Sequence, residues 1–251
     1  MPSFLFRSNY NKLLLTTGLL LTMLSFQGCT SLDLGRGLDF LNTSSRQNEI
    51  TLGDIASAFK EALQIGSENV TVQLGREEGF NKDQGIRIPL PKDMERVGSA
   101  MRKVGLGSLV DDFEVKLNRA AERAAPLAKE VLWNAIKDMT FRDVKQIYDG
   151  PDDAATRYFE AKTSAALKLK IQPIIDDSLS KVGAIRSYDR VMSKYSAIPF
   201  VPDVKADISG HVVDGTLSGV FHYLAKGEAA IRKNPAKRTT ELLKKVFGAK
   251  D

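Results

Sequence analysis

The run from Ser108 to Val131 constrains the fold more than any other part of the chain. Leu109, Phe113, Leu117, Ala120, Ala124, Ala128 and Val131 recur at the spacing of one face of an α-helix. The alanines in this stripe permit unusually close contact between helices. Ser108, with Asp111 three residues on, reads as the cap that starts the helix. Pro126 lies inside the stripe. It lacks a backbone donor and its ring crowds the preceding turn, so the helix is expected to kink there or divide in two.

The same periodicity runs through nearly all of the chain after residue 50. Thr51 with Asp54 looks like a cap, followed by Ile55, Phe59, Ala62, Leu63 and Gly66 at helical spacing. Residues 75–91 interrupt it with Gly75, Gly79, Gly85, Pro89 and Pro91. Within them, Ile86 to Pro91 alternates like a strand, but the prolines favour an extended edge segment over a central strand. A helix near 92–104 is expected next, then a break at Gly105-Leu106-Gly107. Thr140 with Asp143 reads as another short helix start. Gly150-Pro151-Asp152-Asp153 is a further start signal, with a first-turn proline and acids favoured by the helix dipole. Helices are expected at about 152–169, 173–182, 186–196, 204–233 and 235–247, with Gly183 and Gly248 ending two of them and Asn234-Pro235 opening the last. No internal repeat or later linker is evident. The fold class expected is all-α, a single multi-helix domain over residues 50–248 with short helices and one kinked long helix.

Residues 1–28 have a different character. Arg7 and Lys12 precede an apolar run, Leu13 to Leu24, that is shorter than the roughly 20 residues needed to span a bilayer. This is the pattern of a secretory signal. Cys29, the only cysteine, follows Phe26-Gln27-Gly28, and the stretch resembles a lipobox. Cys29 is therefore expected to be the lipidated first residue of the mature chain. It would carry the diacylglycerol and the further acyl group, such as palmitate, of bacterial lipoproteins as a class. Stable anchoring needs more than one acyl chain, and three suffice. Thr30 after the cysteine, rather than aspartate, resembles the outer-membrane sorting pattern of Gram-negative cells. The domain is thus expected to be lipid-anchored at the outer membrane and to face the periplasm. Residues 29–49 form the lipidated end and a polar, aperiodic tether of about 20 residues, with a reach of roughly 25 Å.

Removing residues 1–28 leaves 34 basic against 31 acidic residues, a formal +3, which argues against a dedicated nucleic-acid binder. Charge is uneven, however. Residues 226–250 hold eight basic residues against Glu228 and Glu241, a formal +6. Lys233, Lys237, Arg238, Lys244 and Lys245 are expected to form a basic surface there. The plain reading is a solvated face; the sharper one is contact with anionic lipid, an envelope polymer or an envelope protein.

Several stretches resemble a bacterial family of unknown function, DUF4197. They are Gly75; Ile88-Pro89-Leu90-Pro91; Arg102 to Gly107; Val110 to Glu114; and Leu117 to Glu122. Gly150 to Thr156, Tyr158-Phe159, Arg238-Thr239-Thr240 and Leu242 to Gly248 continue the match. The resemblance implies an exported or lipid-anchored, mostly helical protein, and carries no catalytic role to any position.

Candidate chemistry is sparse. Three aspartate pairs, Asp111-Asp112, Asp152-Asp153 and Asp176-Asp177, invite a metal reading, but neighbours on a helix point about 100° apart and cannot converge on one ion. His211 and His222 are three turns apart, roughly 16 Å along a straight helix, too far to share a metal. No metal site, cofactor or nucleophile elbow is expected. The polar series Asp111, Asp112, Asn118, Arg119 and Glu122 carries more weight. It reads as an internal salt-bridge network that fixes helix register, or as a polar pocket for a small anionic or zwitterionic ligand with Arg119 as anchor. Ile198-Pro199-Phe200-Val201-Pro202 is expected to pack over the core as a rigid apolar turn, with a protein-contact patch as the alternative. The leading expectation is a non-enzymatic binding or scaffold protein of the envelope. A helical carrier with an internal pocket, and an enzyme using acids from separate helices around a metal, stand beside it.

Overall fold

The structure, a computed structural model, describes residues 49–140, 142 and 144–249. The leader, Cys29 and all of the tether except Glu49 lie outside the described residues, as does Asp143 of the expected Thr140/Asp143 start. Nine α-helices occur among the described residues, and no strand: α1 (Leu52–Leu74), α2 (Glu95–Lys103), α3 (Gly107–Leu127), α4 (Lys129–Asp138), α5 (Val144–Asp149), α6 (Ala154–Lys181), α7 (Ala184–Tyr195), α8 (Ile208–Lys233) and α9 (Glu241–Gly248). None of these helices is long and apolar enough to cross a membrane.

The stripe on α3 is buried as expected. Phe113, Leu117, Ala120, Ala124 and Ala128 are fully enclosed, and Ala121 and Ala125 widen the buried face. That width lets α3 pack against α6, α7 and α8 as well as α1 and α2. α8 is the second inner helix, lying against α6, α1 and α3. Aromatic edges tie neighbouring elements together: Phe159 on α6 meets Phe221 on α8 at 5.7 Å and 73°, and Phe59 on α1 meets Phe247 on α9 at 5.5 Å and 76°. Such edge-to-face contacts add about 0.5–1.5 kcal/mol each beyond the area they bury.

Local signals set several helix ends. Thr51 and Asp54 form a reciprocal capping box, with both bonds at 3.0 Å. Pro126 divides the long helix: α3 ends and α4 begins at the shared cap Ala128. Gly183, at φ +73°, closes the turn between α6 and α7 in the left-handed region open to glycine.

Five expectations are corrected. Ser108 does not cap α3, because the turn through Gly105 starts the helix earlier, at Gly107, with Leu106 as cap. The acids 152 and 153 precede α6 rather than occupying its first turn, where none is acidic. Helices expected at 152–169 and 173–182 are one helix, Ala154–Lys181. Pro173 strands only the carbonyl of residue 169, on the side where Leu169 is 79 % exposed, while Ile171, Ile175 and Leu179 stay packed. The helix near 92–104 begins with a 3₁₀ turn, Lys92–Met94. The stretch expected as one helix at 235–247 is a 3₁₀ turn, Pro235–Lys237, followed by α9, because Thr240 caps anew with its hydroxyl on the Leu243 N–H.

Candidate functional site

The polar residues of α3 are placed by its breadth of contact, and among them they face three different neighbours. Asp111 is exposed and accepts a 2.6 Å bond from Arg102. Asp112 turns towards α7, where Ser187 Oγ (2.6 Å) and Arg190 (3.2 Å) meet it, and Lys116 adds a bond at 2.7 Å. Burial works to raise the Asp112 pKa, but hydrogen bonds from Lys116 and Ser187 prevail and hold it below the usual carboxylate value. The other three residues converge on the connection between α1 and the 3₁₀ turn.

Asn118 is fully buried. Its Oδ1 accepts the Ile88 N–H at 2.9 Å and its Nδ2 donates to the Ile88 carbonyl at 2.8 Å and to the Glu114 carbonyl at 2.9 Å. One side-chain amide thus does for Ile88 what a neighbouring strand would do. Glu122 Oε1 accepts the N–H groups of Phe80 and Asn81, each at 3.1 Å, and Oε2 accepts from Arg119 at 2.6 Å. Arg119 also pairs with Glu78, and its pKa is raised, first by the bond to Glu122. The Glu78 carboxyl is lowered, first by Asn81 and then by Arg119. Arg87 reaches Glu114 at 3.4 Å. Asn118, Arg119 and Glu122 thus all bond to the 75–91 connection, with Asp111 and Asp112 engaged elsewhere.

The other side of this connection rests on α8. A Cβ added to Gly219 would lie 2.7 Å from Phe80 Cε1, and one on Gly215 would lie 2.8 Å from Ile88 Cγ1. These two glycines form the trough that Phe80 and Ile88 fill. Ile86 to Leu90 alternates as expected, with Ile86 and Ile88 buried and Arg87 and Pro89 exposed, but it pairs with a side chain rather than a strand. Tyr223 donates to Asp83, whose Oδ1 also accepts the Gly85 N–H at 2.9 Å. The shared hydrogen bond lowers the Asp83 pKa and raises that of Tyr223. The histidines are apart: His211 Nε2 lies 2.8 Å from the Pro89 carbonyl, which requires the proton on Nε2, and exposed His222 stands edge-on to Tyr223.

A second buried polar centre shows in the sequence only as charge. Glu228 on α8 accepts from the Ala155 N–H (3.0 Å), the Thr156 N–H (2.8 Å) and the Thr156 hydroxyl (2.8 Å), and so caps α6 from another helix. Arg232 pairs with Glu228 at 2.8 Å, donates to the Ile147 and Tyr148 carbonyls, and lies 5.0 Å from the Phe59 ring. The available signal was an opposite-charge pair four residues apart on the same face as Leu224 and Ile231. Arg238, expected on a basic surface, is 3 % exposed: Nε donates to the Ile231 carbonyl and Nη2 to that of Arg232, closing the end of α8. Lys233, Lys237, Lys244 and Lys245 remain at the surface or near it, but Lys233 pairs with Asp152, Lys244 with Glu241 and Lys245 with Asp54.

The adjacent aspartates diverge as their helical geometry requires. Asp152 faces Lys233 and Asp153 faces Arg157; Asp176 faces Ser209 and Asp177 faces Lys181. Among the described residues no three His, Cys, Asp or Glu side chains form a group that could hold a metal ion. A surface cleft of about 760 Å³ lies between Leu52, Ala56, Val144 and Lys145, and another of about 530 Å³ between Met139, Tyr158, Lys162 and Lys170. Neither is lined by the α3 polar series.

No curated protein and no solved structure matches the chain. Residues 49–248 match DUF4197, described as a protein of unknown function, which covers the whole helical body described above. The chain belongs to the DUF4197 family.

Proposed function

We propose that this chain is a lipid-anchored protein of the cell envelope that works by binding or scaffolding an envelope component, without catalysis. Cys29 carries the lipid, residues 29–49 serve as the tether, and the helical body faces the periplasm from the outer membrane. One observation carries the non-enzymatic part. The buried groups with chemical potential, Asn118, Glu122, Glu228, Arg232 and Arg238, spend their hydrogen bonds on backbone groups and on one another. A buried charge needs such partners to offset desolvation, so these residues are accounted for by the fold. The large clefts are open surface features beside a filled core, which favours a binding surface over a carrier pocket. The C-terminal end pulls on an anionic surface less than its formal charge implies, because Arg238 is internal and three lysines are ion-paired.

Cell fractionation with metabolic palmitate labelling tests the anchor. Cys29→Ala is expected to abolish the label and to move the chain out of the outer-membrane fraction. Retention there without Cys29 would remove the anchor from the proposal. Crosslinking in intact cells, read by mass spectrometry, tests the scaffold role; a discrete envelope partner is expected, and recovery of small molecules alone counts against it.

A further inference from the structure

The connection between α7 and α8 holds the most exposed large apolar side chain among the described residues. Phe200 is 105 % exposed, so its ring touches nothing that shields it. Its backbone sits at φ +65°, the left-handed region that glycine adopts freely and an aromatic residue rarely does. It follows Pro199 in a turn, in the position that glycine ordinarily takes when φ is positive. Ile198, Val201 and Val204 on either side pack against the core and hold the turn in place. The expected apolar turn over the core is therefore split: its flanks pack, and its largest residue is turned outward at a conformational penalty that no internal contact repays.

The neighbouring surface is mixed in charge. Lys92 and Arg96, from the start of α2 and the 3₁₀ turn before it, line a cleft of about 370 Å³ with Lys205, Asp93 and Asp203. Among the described residues, none of these three cations and neither of the two acids is ion-paired, so the cleft carries a net charge of +1. A protruding aromatic two residues before a cleft with an excess of cations fits an interfacial membrane contact, where the ring enters the headgroup region and the cations meet anionic lipid. A protein partner fits less well, because a stable interface buries about 1,200–2,000 Å² and one aromatic supplies only about 150–250 Å². For a domain already tethered, a single ring is enough to bias orientation: burying a phenylalanine favours the inserted state by about 10- to 100-fold.

We propose that the Pro199–Pro202 turn is a second membrane contact, with Phe200 inserted at the bilayer surface and Lys92, Arg96 and Lys205 facing anionic headgroups. It rests on the anchored reading for the place where the domain works. It would fix which face of the domain turns to the membrane and which is left for a partner. The test uses the full chain in a Gram-negative host, with photoreactive benzoylphenylalanine in place of Phe200 or, separately, of Leu169. Leu169 is an apolar side chain 79 % exposed on α6, and neither replacement disturbs the core. Phospholipid adducts at position 200 are expected at about fivefold or more over those at position 169. Palmitate labelling of the same cells reads the anchor independently. Lipid adducts at 200 no more abundant than at 169, or protein adducts in their place, overturn the membrane contact with or without the label. Lipid adducts at 200 in cells that lack the label support the contact and overturn the anchor alone.

Discussion

Two long connections of this chain contain two prolines each and lead into helices, yet they are held by opposite means. Residues 75–91, between α1 and the 3₁₀ turn, are gripped on one side by Asn118, Arg119 and Glu122 and on the other by Gly215 and Gly219. Residues 196–207, between α7 and α8, are held mainly by the packing of Ile198, Val201 and Val204, and they turn Phe200 into solvent. The first is a connection built into the core, where each buried backbone group requires a partner. The second lies on the surface, where water satisfies the backbone and an exposed aromatic is free to meet something else. In this protein the polar residues of a central helix are engaged by a connection, and it is an apolar residue on a loop that is left without a partner.

The contrast can be broken most severely at Glu122. Glu122→Ala leaves the Phe80 N–H buried without an acceptor and removes an Arg119 partner, and is expected to cost about 3 kcal/mol of stability. Urea denaturation measures this directly, and a loss below 1 kcal/mol would mean that the grip is dispensable. Asn118→Ala is expected to cost about 2 kcal/mol by the same logic, since both polar groups of Ile88 lose their partner. Its distinguishing readout is faster amide exchange at Ile88 than at core positions of α8.

Acidification separates the two connections next. Asp83 and Glu78 both have folded pKa values below their ordinary 3.8 and 4.5, the first through Tyr223 and the second through Asn81 and Arg119. A depressed carboxylate stabilises the fold above its unfolded pKa, and that contribution drains away as pH falls through the folded value. Below about pH 4 the 75–91 connection should therefore loosen, visible as rising exchange at the Gly85 N–H that Asp83 accepts. Tyr223→Phe should move the onset of that loosening to higher pH. An unchanged onset would show that the Tyr223 bond is not what lowers Asp83.

The smallest expected effect lies in the other connection. Phe200→Gly releases the positive-φ penalty and gives back part of it as chain entropy, for a net gain of about 0.5 kcal/mol. A loss of stability would instead mean that Phe200 contributes packing to the fold. Thermal unfolding with and without vesicles distinguishes a residue kept for the fold from one kept for contact.

The local chemistry of the chain was readable where it acts within a few residues. The capping box at Thr51, the division at Pro126, the left-handed end at Gly183 and the alanine stripe of α3 all follow from side chains acting on their own backbone. Misreadings arose where a distant residue took over a local task. The acids at 152 and 153 were passed over because Glu228, more than seventy residues away, caps α6. Pro173 failed to end its helix because packing on one face outweighed a single lost hydrogen bond. Arg238 reads as surface charge because nothing beside it in sequence shows that α8 ends against it.

What the sequence determined by itself is the class of fold, the positions of several helix ends and the polar series on α3, because periodicity and capping are local and additive. Only the tertiary structure decided what those polar residues are for and which charges stay free. A carboxylate or an amide is defined functionally by the group it meets, and in this chain most of the deciding partners lie thirty or more residues away. Phe200 shows the converse: its apolar sequence context points it at the core, and only the course of the backbone turns it outward.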